Sequence, residues 1–231
     1  MNPLRALRDS TERVGALGRE ALALARQATL LHRDVSSVMP ADERELVVLV
    51  HGFLATPGVL RPLRERLERD GHAVASFTHA PGIGVAELAA RVGEAVGRSR
   101  AERIQLVGHS IGGLAARWFV EALGGDPRVV RTVSLASPFW GVRLRRARLL
   151  PGELGRDLEP ESPLLARLRE SVTRGVPHFA VSGTHDNVVG EAQPLGSAGE
   201  LLAEGCGHNA LLYEPKVLDA VARCLAAAPR T

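Results

Sequence analysis

Arg103-Ile-Gln-Leu-Val-Gly-His-Ser-Ile-Gly-Gly-Leu-Ala-Ala-Arg117 is the stretch on which the reading of this chain turns. An apolar strand, Ile104 to Val107, runs into Gly108-His109-Ser110-Ile111-Gly112 and from there directly into a helix. A serine at the tip of so tight a strand–turn–helix junction needs glycine two residues before and two after it. A Cβ at Gly108 or Gly112 would collide with the neighbouring backbone. Ser110 is then held in a strained conformation with its hydroxyl presented and the N-terminus of the next helix just behind it. In a chain with 24 glycines the five-residue pattern is weak by itself. Its weight comes from the flanks.

Outward from this junction the texture is strand, loop, helix, repeated. Leu46 to Val50 is an unbroken apolar run, as expected of a central parallel strand covered on both faces. Thr56-Pro57 reads as a helix start, with Thr as N-cap and Pro at the first helical position, and the helix runs to about Asp70. Then come a strand at Ala73–Thr78, a helix at about Val85–Ser99, the Ser110 junction with a helix to about Leu123, and a strand at Val129–Ala136. Residues 142–169 read as irregular to helical, followed by strands at Phe179–Ser182 and Leu201–Ala203 and a closing helix at Lys216–Ala227. This alternation predicts an α/β fold, an open and mostly parallel sheet of about six strands with helices on both faces.

Residues 1–40 differ. They hold no strand candidate and end in Ser36-Ser37-Val38-Met39-Pro40, which reads as a linker. Leu7, Val14, Leu17, Ala21, Leu24, Ala28 and Leu31 recur at spacings near three and four, the seam of an amphipathic helix. Gly15 and Gly18 weaken that helix by about 1 kcal/mol each against alanine, so the seam needs a surface. Three surfaces fit: the body of the same chain, a second copy in a homodimer, or a membrane interface. The organisation expected is a helix and linker at 1–40 and a catalytic domain at 41–231, with a short lid-like insertion at about 139–170.

The bulk numbers exclude several classes. A chain of 231 residues with 45% hydrophobic and 24% charged residues suits one domain with a full core. A net charge of +3 spread along the chain is not the footprint of a nucleic-acid binder. Arg5, Arg8, Asp9, Glu12 and Arg13 interrupt the apolar core a secretory signal would need, and no uncharged apolar run reaches the length of a membrane span. Cytoplasm is the default compartment, and Cys206 and Cys224 read as free thiols. No dinucleotide fingerprint or phosphate loop is present, so no cofactor is expected. His178, His185 and Asp186 are close in sequence, but strand alternation scatters them, and no metal is expected.

A serine hydroxyl attacks a carbonyl only when a base takes its proton. After the last strand the chain reads Glu204-Gly-Cys-Gly-His208-Asn, a glycine-rich loop presenting a histidine, which titrates in the range a base needs. After the penultimate strand it reads Ser182-Gly-Thr-His-Asp186, a carboxylate placed to fix the tautomer of the imidazole and stabilise the imidazolium. Donors for an oxyanion would be the backbone N–H of Ile111 and, in the His51-Gly52-Phe53 loop after the first strand, that of Phe53. Gly52 lets that loop turn. His51 reads as a brace rather than a base.

These stretches resemble the bacterial esterase and lipase branch of the α/β-hydrolase superfamily, compact triacylglycerol lipases in particular. The resemblance runs over Val47–Phe53, Gly108–Leu114, Leu135-Ala-Ser-Pro-Phe-Trp-Gly141, Asp157–Leu165, Ser182–Asp186 and Gly207-His208. It implies the α/β-hydrolase fold, Ser110 as nucleophile, Asp186 as acid, His208 as base, and Phe53 and Ile111 as oxyanion donors. The activity implied is carboxylic ester hydrolysis through an acyl-enzyme, on a small ester or a lipid, with contact to a lipid interface open. Thioester hydrolysis or acyl transfer would use the same residues, and a catalytically silent binding protein would keep only the fold. Residues 1–40 have no counterpart in the resemblance. Arg143, Arg145, Arg146 and Arg148, among Leu144, Leu149 and Leu150, suggest either a solvated loop or a small flap.

Overall fold

A computed structural model describes residues 3–33, 44–142, 147, 149–171, 175–189, 195 and 198–227. The linker expected at 36–40, the arginines at 143, 145, 146 and 148, and the side chain of Leu7 lie outside the described part. After helix α1 (Pro3–Leu30) the order is β1 (Glu45–Val50), a 3-10 turn (Pro57–Leu60), α2 (Arg61–Arg69), β2 (Ala73–Ser76), α3 (Val85–Arg98), β3 (Arg103–His109), α4 (Ile111–Ala122) and β4 (Val129–Leu135). Then follow α5 (Gly152–Asp157), α6 (Pro163–Ser171), β5 (His178–Gly183), β6 (Gly199–Ala203), a second 3-10 turn (Ala210–Tyr213) and α7 (Pro215–Ala226).

The six strands form one sheet in the order β2-β1-β3-β4-β5-β6, every pairing parallel. The two faces bury separate cores. Val48, Val50, Leu106, Leu88, Val92 and Leu114 pack on one side, under α3 and α4. Val47, Leu49, Val107, Leu63, Leu67 and Val221 pack on the other, under α2 and α7. Alternation along a strand buried on both faces explains why β1 is apolar throughout. With all strands parallel, the loops after β1, β3, β5 and β6 emerge at one edge, and the chain reverses its direction of growth across the sheet after β2. Such an edge is where open sheets of this kind bind ligands.

Two local expectations are corrected. The helix expected from Pro57 begins as a 3-10 turn and becomes α-helical only at Arg61. Thr56 does not cap it with its side chain; its hydroxyl donates instead to the Leu31 carbonyl at 2.9 Å, tying down the end of α1. No helix among the described residues is long and apolar enough to cross a membrane. Cys206 and Cys224 are free thiols.

The larger correction concerns α1. It lies on the body of its own chain, against both 3-10 turns, but not through the leucine seam. The residues it buries are Ala16, Glu20 and Ala23, with Gln27 and Leu30 half-buried. Val14 (70%), Leu17 (62%) and Leu24 (51%) of the seam stay exposed. Small residues let the helix approach closely, and bonds made by Arg19, Glu20 and Gln27 hold it there. The usual polarity of a surface helix is thus inverted.

Candidate active site

Strand β3 ends at His109 and α4 starts at Ile111, leaving Ser110 alone in the turn with φ 54 and ψ −122. Positive φ is rare for any residue but glycine and costs about 1–3 kcal/mol, so the surroundings must enforce it. They do so by crowding. A Cβ at Gly108 would lie 2.2 Å from the Gly112 carbonyl carbon, and one at Gly112 would lie 2.3 Å from the Val50 carbonyl oxygen. The Ser110 N–H donates to Leu135 O at 2.8 Å, and the Ser137 hydroxyl donates to Ser110 O at 2.7 Å.

Asp186 and His208 come from the loops after β5 and β6, neighbouring strands. The Nδ1–H of His208 donates to Asp186 Oδ2 at 2.8 Å, with both side chains buried. The other carboxylate oxygen accepts the N–H groups of Val188 and Val189 at 2.8 and 2.9 Å. Burial works to raise the Asp186 pKa, but the His208 hydrogen bond and charge, with the two backbone bonds, outweigh it and hold the carboxyl below its ordinary value. Ser110 and His208 line one cavity of about 450 Å³, together with Phe53 and Ile111. Among the described residues, Ser110 and His208 are not hydrogen-bonded to each other in this conformation. Such bonds commonly tighten only when substrate is bound.

The cavity lining is mostly apolar and, among the described residues, includes no Asp, Glu, Lys or Arg. Its walls are Leu24, Ala28 and Leu31 of α1, Leu54 of the β1 loop, and Val142, Leu150, Leu154 and Leu158 of the segment after β4. The loop after β1 turns at Leu54, another non-glycine residue at positive φ (53), and Gly52 and Phe53 precede that turn. The N–H of Ile111 is among those that α4 leaves without an intrahelical partner.

Histidines brace the loops. His51 donates from Nδ1 to Gly52 O at 2.9 Å, and its ring stacks on His79 at 3.9 Å. Burial, then the neighbouring His79, lowers its pKa to about 3, so it is a neutral support for the loop. His109 donates from Nε2 to the backbone carbonyl of His208 at 3.1 Å; burial and then the charge of His208 lower its pKa to about 3. His178 is buried between the hydroxyls of Thr132 and Ser134, far from a ligand role, and burial holds its pKa well below 6.5. His185 pairs with Thr184. Asp157, in the Asp157–Leu165 segment, accepts the Val85 N–H at 2.7 Å and caps α3.

The sequence reading missed Glu20. Its buried carboxylate (7% exposed) accepts the backbone N–H of Asn209 and Ala210 at 3.0 Å and the Asn209 side-chain amide at 2.7 Å. Gln27 donates to Asn209 Oδ1 at 2.8 Å, and Arg19 to the Gly205 carbonyl at 2.7 Å. Helix α1 therefore grips the loop that carries His208, from both sides of it. The available signal was an acid in helical register with the small residues Ala16 and Ala23 and with Gln27.

Residues 40–153, just under half of the chain, match the family model described as "Putative serine esterase (DUF676)". No curated protein matches the chain by sequence. Its fold is similar to that of the carboxylesterase CesB from Bacillus subtilis (16% identity, TM-score 0.58, covering 93% of this chain and 99% of that one). It is also similar to the Bacillus licheniformis lipase BlEst2 (16%, 0.60, 84% and 97%). A membrane phospholipase A described as a bacterial virulence factor matches as well (16%, 0.54, 96% and 94%). The chain has the α/β-hydrolase fold. The match over residues 40–153 supports an ester hydrolase.

Proposed function

We propose that this chain hydrolyses carboxylic esters of apolar acyl groups by a Ser110–His208–Asp186 triad. One observation carries the reading: a strained serine at a strand end shares an apolar cavity with a histidine whose far nitrogen is bonded to a buried carboxylate. Ser110 Oγ attacks the ester carbonyl while His208 Nε2 takes the hydroxyl proton. Asp186 holds Nδ1–H and stabilises the imidazolium without itself taking the proton. The N–H groups of Phe53 and Ile111 receive the oxyanion. His208 returns its proton to the departing alkoxide, leaving an ester on Ser110. Water, deprotonated by the same imidazole, attacks that ester, and the carboxylic acid leaves as Ser110 recovers its proton.

Glu20 acts one step back, keeping the His208 loop in place through Asn209 and Ala210, and α1 is part of the working enzyme rather than a separate appendage. Leu150, Leu154 and Leu158 form one wall of the acyl pocket. A cavity of about 450 Å³ holds roughly fifteen water volumes, room for an acyl chain of roughly ten carbons beside the ester. The lipase and the phospholipase among the similar structures support lipid or ester substrates. The test is turnover of a nitrophenyl ester series from acetate to palmitate. Turnover highest at medium chain length is expected; no turnover at any length would reject the reading.

A further inference from the structure

The leucine seam that the fold leaves uncovered is the strongest unabsorbed feature of the molecule. Val14, Leu17, Leu22 and Leu24 are 70, 62, 57 and 51% exposed, and the residues interleaved with them on the outer face, Gly15, Gly18, Ala21 and Ala25, carry no charge. Leu54, 66% exposed, continues this surface across the cavity mouth, where Leu24 and Leu31 already form part of the lining. An apolar surface this continuous on a chain of ordinary composition marks a contact site.

Charge decides the occupant. From position 10 to position 33 the exposed ionised side chains are Glu12, Arg13, Arg19, Arg26 and Arg33, and Glu20 is buried beneath the helix. Glu12, Arg19 and Arg26 recur every seven residues along one edge of the helix, with Arg19 bonded to the Gly205 carbonyl and Arg26 over the Tyr213 ring, and Arg33 follows just past the helix end. An apolar face bordered by four arginines and one acid, Glu12, carries net positive charge and complements an anionic lipid surface. Geometry points the same way. The uncovered face and the cavity mouth share Leu24 and Leu31, so a second copy seated on the face would obstruct the mouth, whereas a lipid surface would deliver an apolar ester to it.

We infer that α1 is an interfacial docking helix. Its inner face grips the His208 loop, and its outer face lies on anionic lipid with the acyl pocket opening against the bilayer. This deepens the ester-hydrolase reading and rests on it for the direction of substrate access, but the docking itself is tested without catalysis.

The experiment is flotation of the full chain with vesicles of phosphatidylcholine, alone or with one third phosphatidylglycerol. The comparison is with Val14→Gln/Leu17→Gln/Leu22→Gln, three exposed positions outside the cavity lining. The wild type is expected to float with the mixed vesicles, binding them roughly fivefold more tightly for each arginine engaged than neutral ones. The triple variant is expected to lose about tenfold or more of that binding. Its circular dichroism, thermal midpoint and turnover of a water-soluble nitrophenyl ester should remain those of wild type. Equal flotation of the two proteins would overturn the inference. So would failure of the wild type to float, including the case in which it sediments as a dimer that the triple variant breaks. Loss of soluble-ester turnover in the wild type with flotation intact would instead reject the ester-hydrolase reading and leave the docking face standing.

Discussion

The sheet edge and helix α1 follow opposite rules of burial. At the sheet edge apolar strands are covered on both faces and the polar candidates emerge only on loops, with Asp186 and His208 bonded to each other. In α1 the polar Glu20 and Gln27 face inward while Val14, Leu17, Leu22 and Leu24 stay exposed. Both arrangements meet the same condition, since each buried carboxylate has its partners: Asp186 accepts bonds from His208, Val188 and Val189, and Glu20 from Asn209 and Ala210. The difference teaches that a helix can be anchored by a few satisfied polar contacts through small residues, which frees its apolar face for another surface.

The comparison would break first at the sheet edge. Ser110→Ala and His208→Ala should each lower ester turnover by about 10⁴-fold or more, and the double variant should lose little beyond either, because the residues act as one unit. Independent, multiplying losses in steady-state kinetics would contradict that. Asp186→Asn should cost about 10²- to 10⁴-fold, acting through the tautomer and orientation of His208. Full activity in this variant would remove Asp186 from the mechanism.

A second effect sharpens the contrast between buried histidines and the surface. His51, His109 and His178 are neutral in the fold because burial lowers each pKa. The unfolded chain binds protons on them below about pH 6.5 while the folded one does not, so stability falls as pH drops from there towards 3. Urea unfolding between pH 7 and 5 should show a loss of roughly 2 kcal/mol for each of His51 and His109, with His178 acting in the same direction. A flat dependence would mean that the folded protein accommodates the charged rings.

The smallest effect belongs to α1. Glu20→Ala leaves three donors of Asn209 and Ala210 without their acceptor, which should cost about 1–3 kcal/mol of stability. If the helix steadies His208, kcat should also fall about tenfold at temperatures where the variant is fully folded, with KM for a short ester kept. Unchanged kcat would reduce Glu20 to a structural anchor.

Much of the fold is readable in sequence because parallel strands are recorded as apolar runs. Leu46–Val50 and Ile104–Val107 could hardly be anything else, and strand boundaries moved by only one or two residues. Ser110, Asp186 and His208 stand out for a related reason: each follows such a run on a glycine-bearing loop, where chain order alone predicts one edge. Thr56 was misread because a capping residue and a hydroxyl bonded to a distant carbonyl look alike in sequence. The orientation of α1 was misread because two stripes share one helical period, leucines on one and Ala16, Glu20, Ala23 and Gln27 on the other. Hydrophobicity ranks the first as buried; the deciding partners, Gly205, Asn209 and Ala210, lie nearly two hundred residues away.

The most direct measurement is labelling by a fluorophosphonate, which reacts with a serine hydroxyl only when a base activates it. One label per chain, mapped to Ser110, absent from Ser110→Ala and slowed by orders of magnitude in His208→Ala, is the expected result. Absence of label on the folded wild type, or label persisting in Ser110→Ala, would contradict the account.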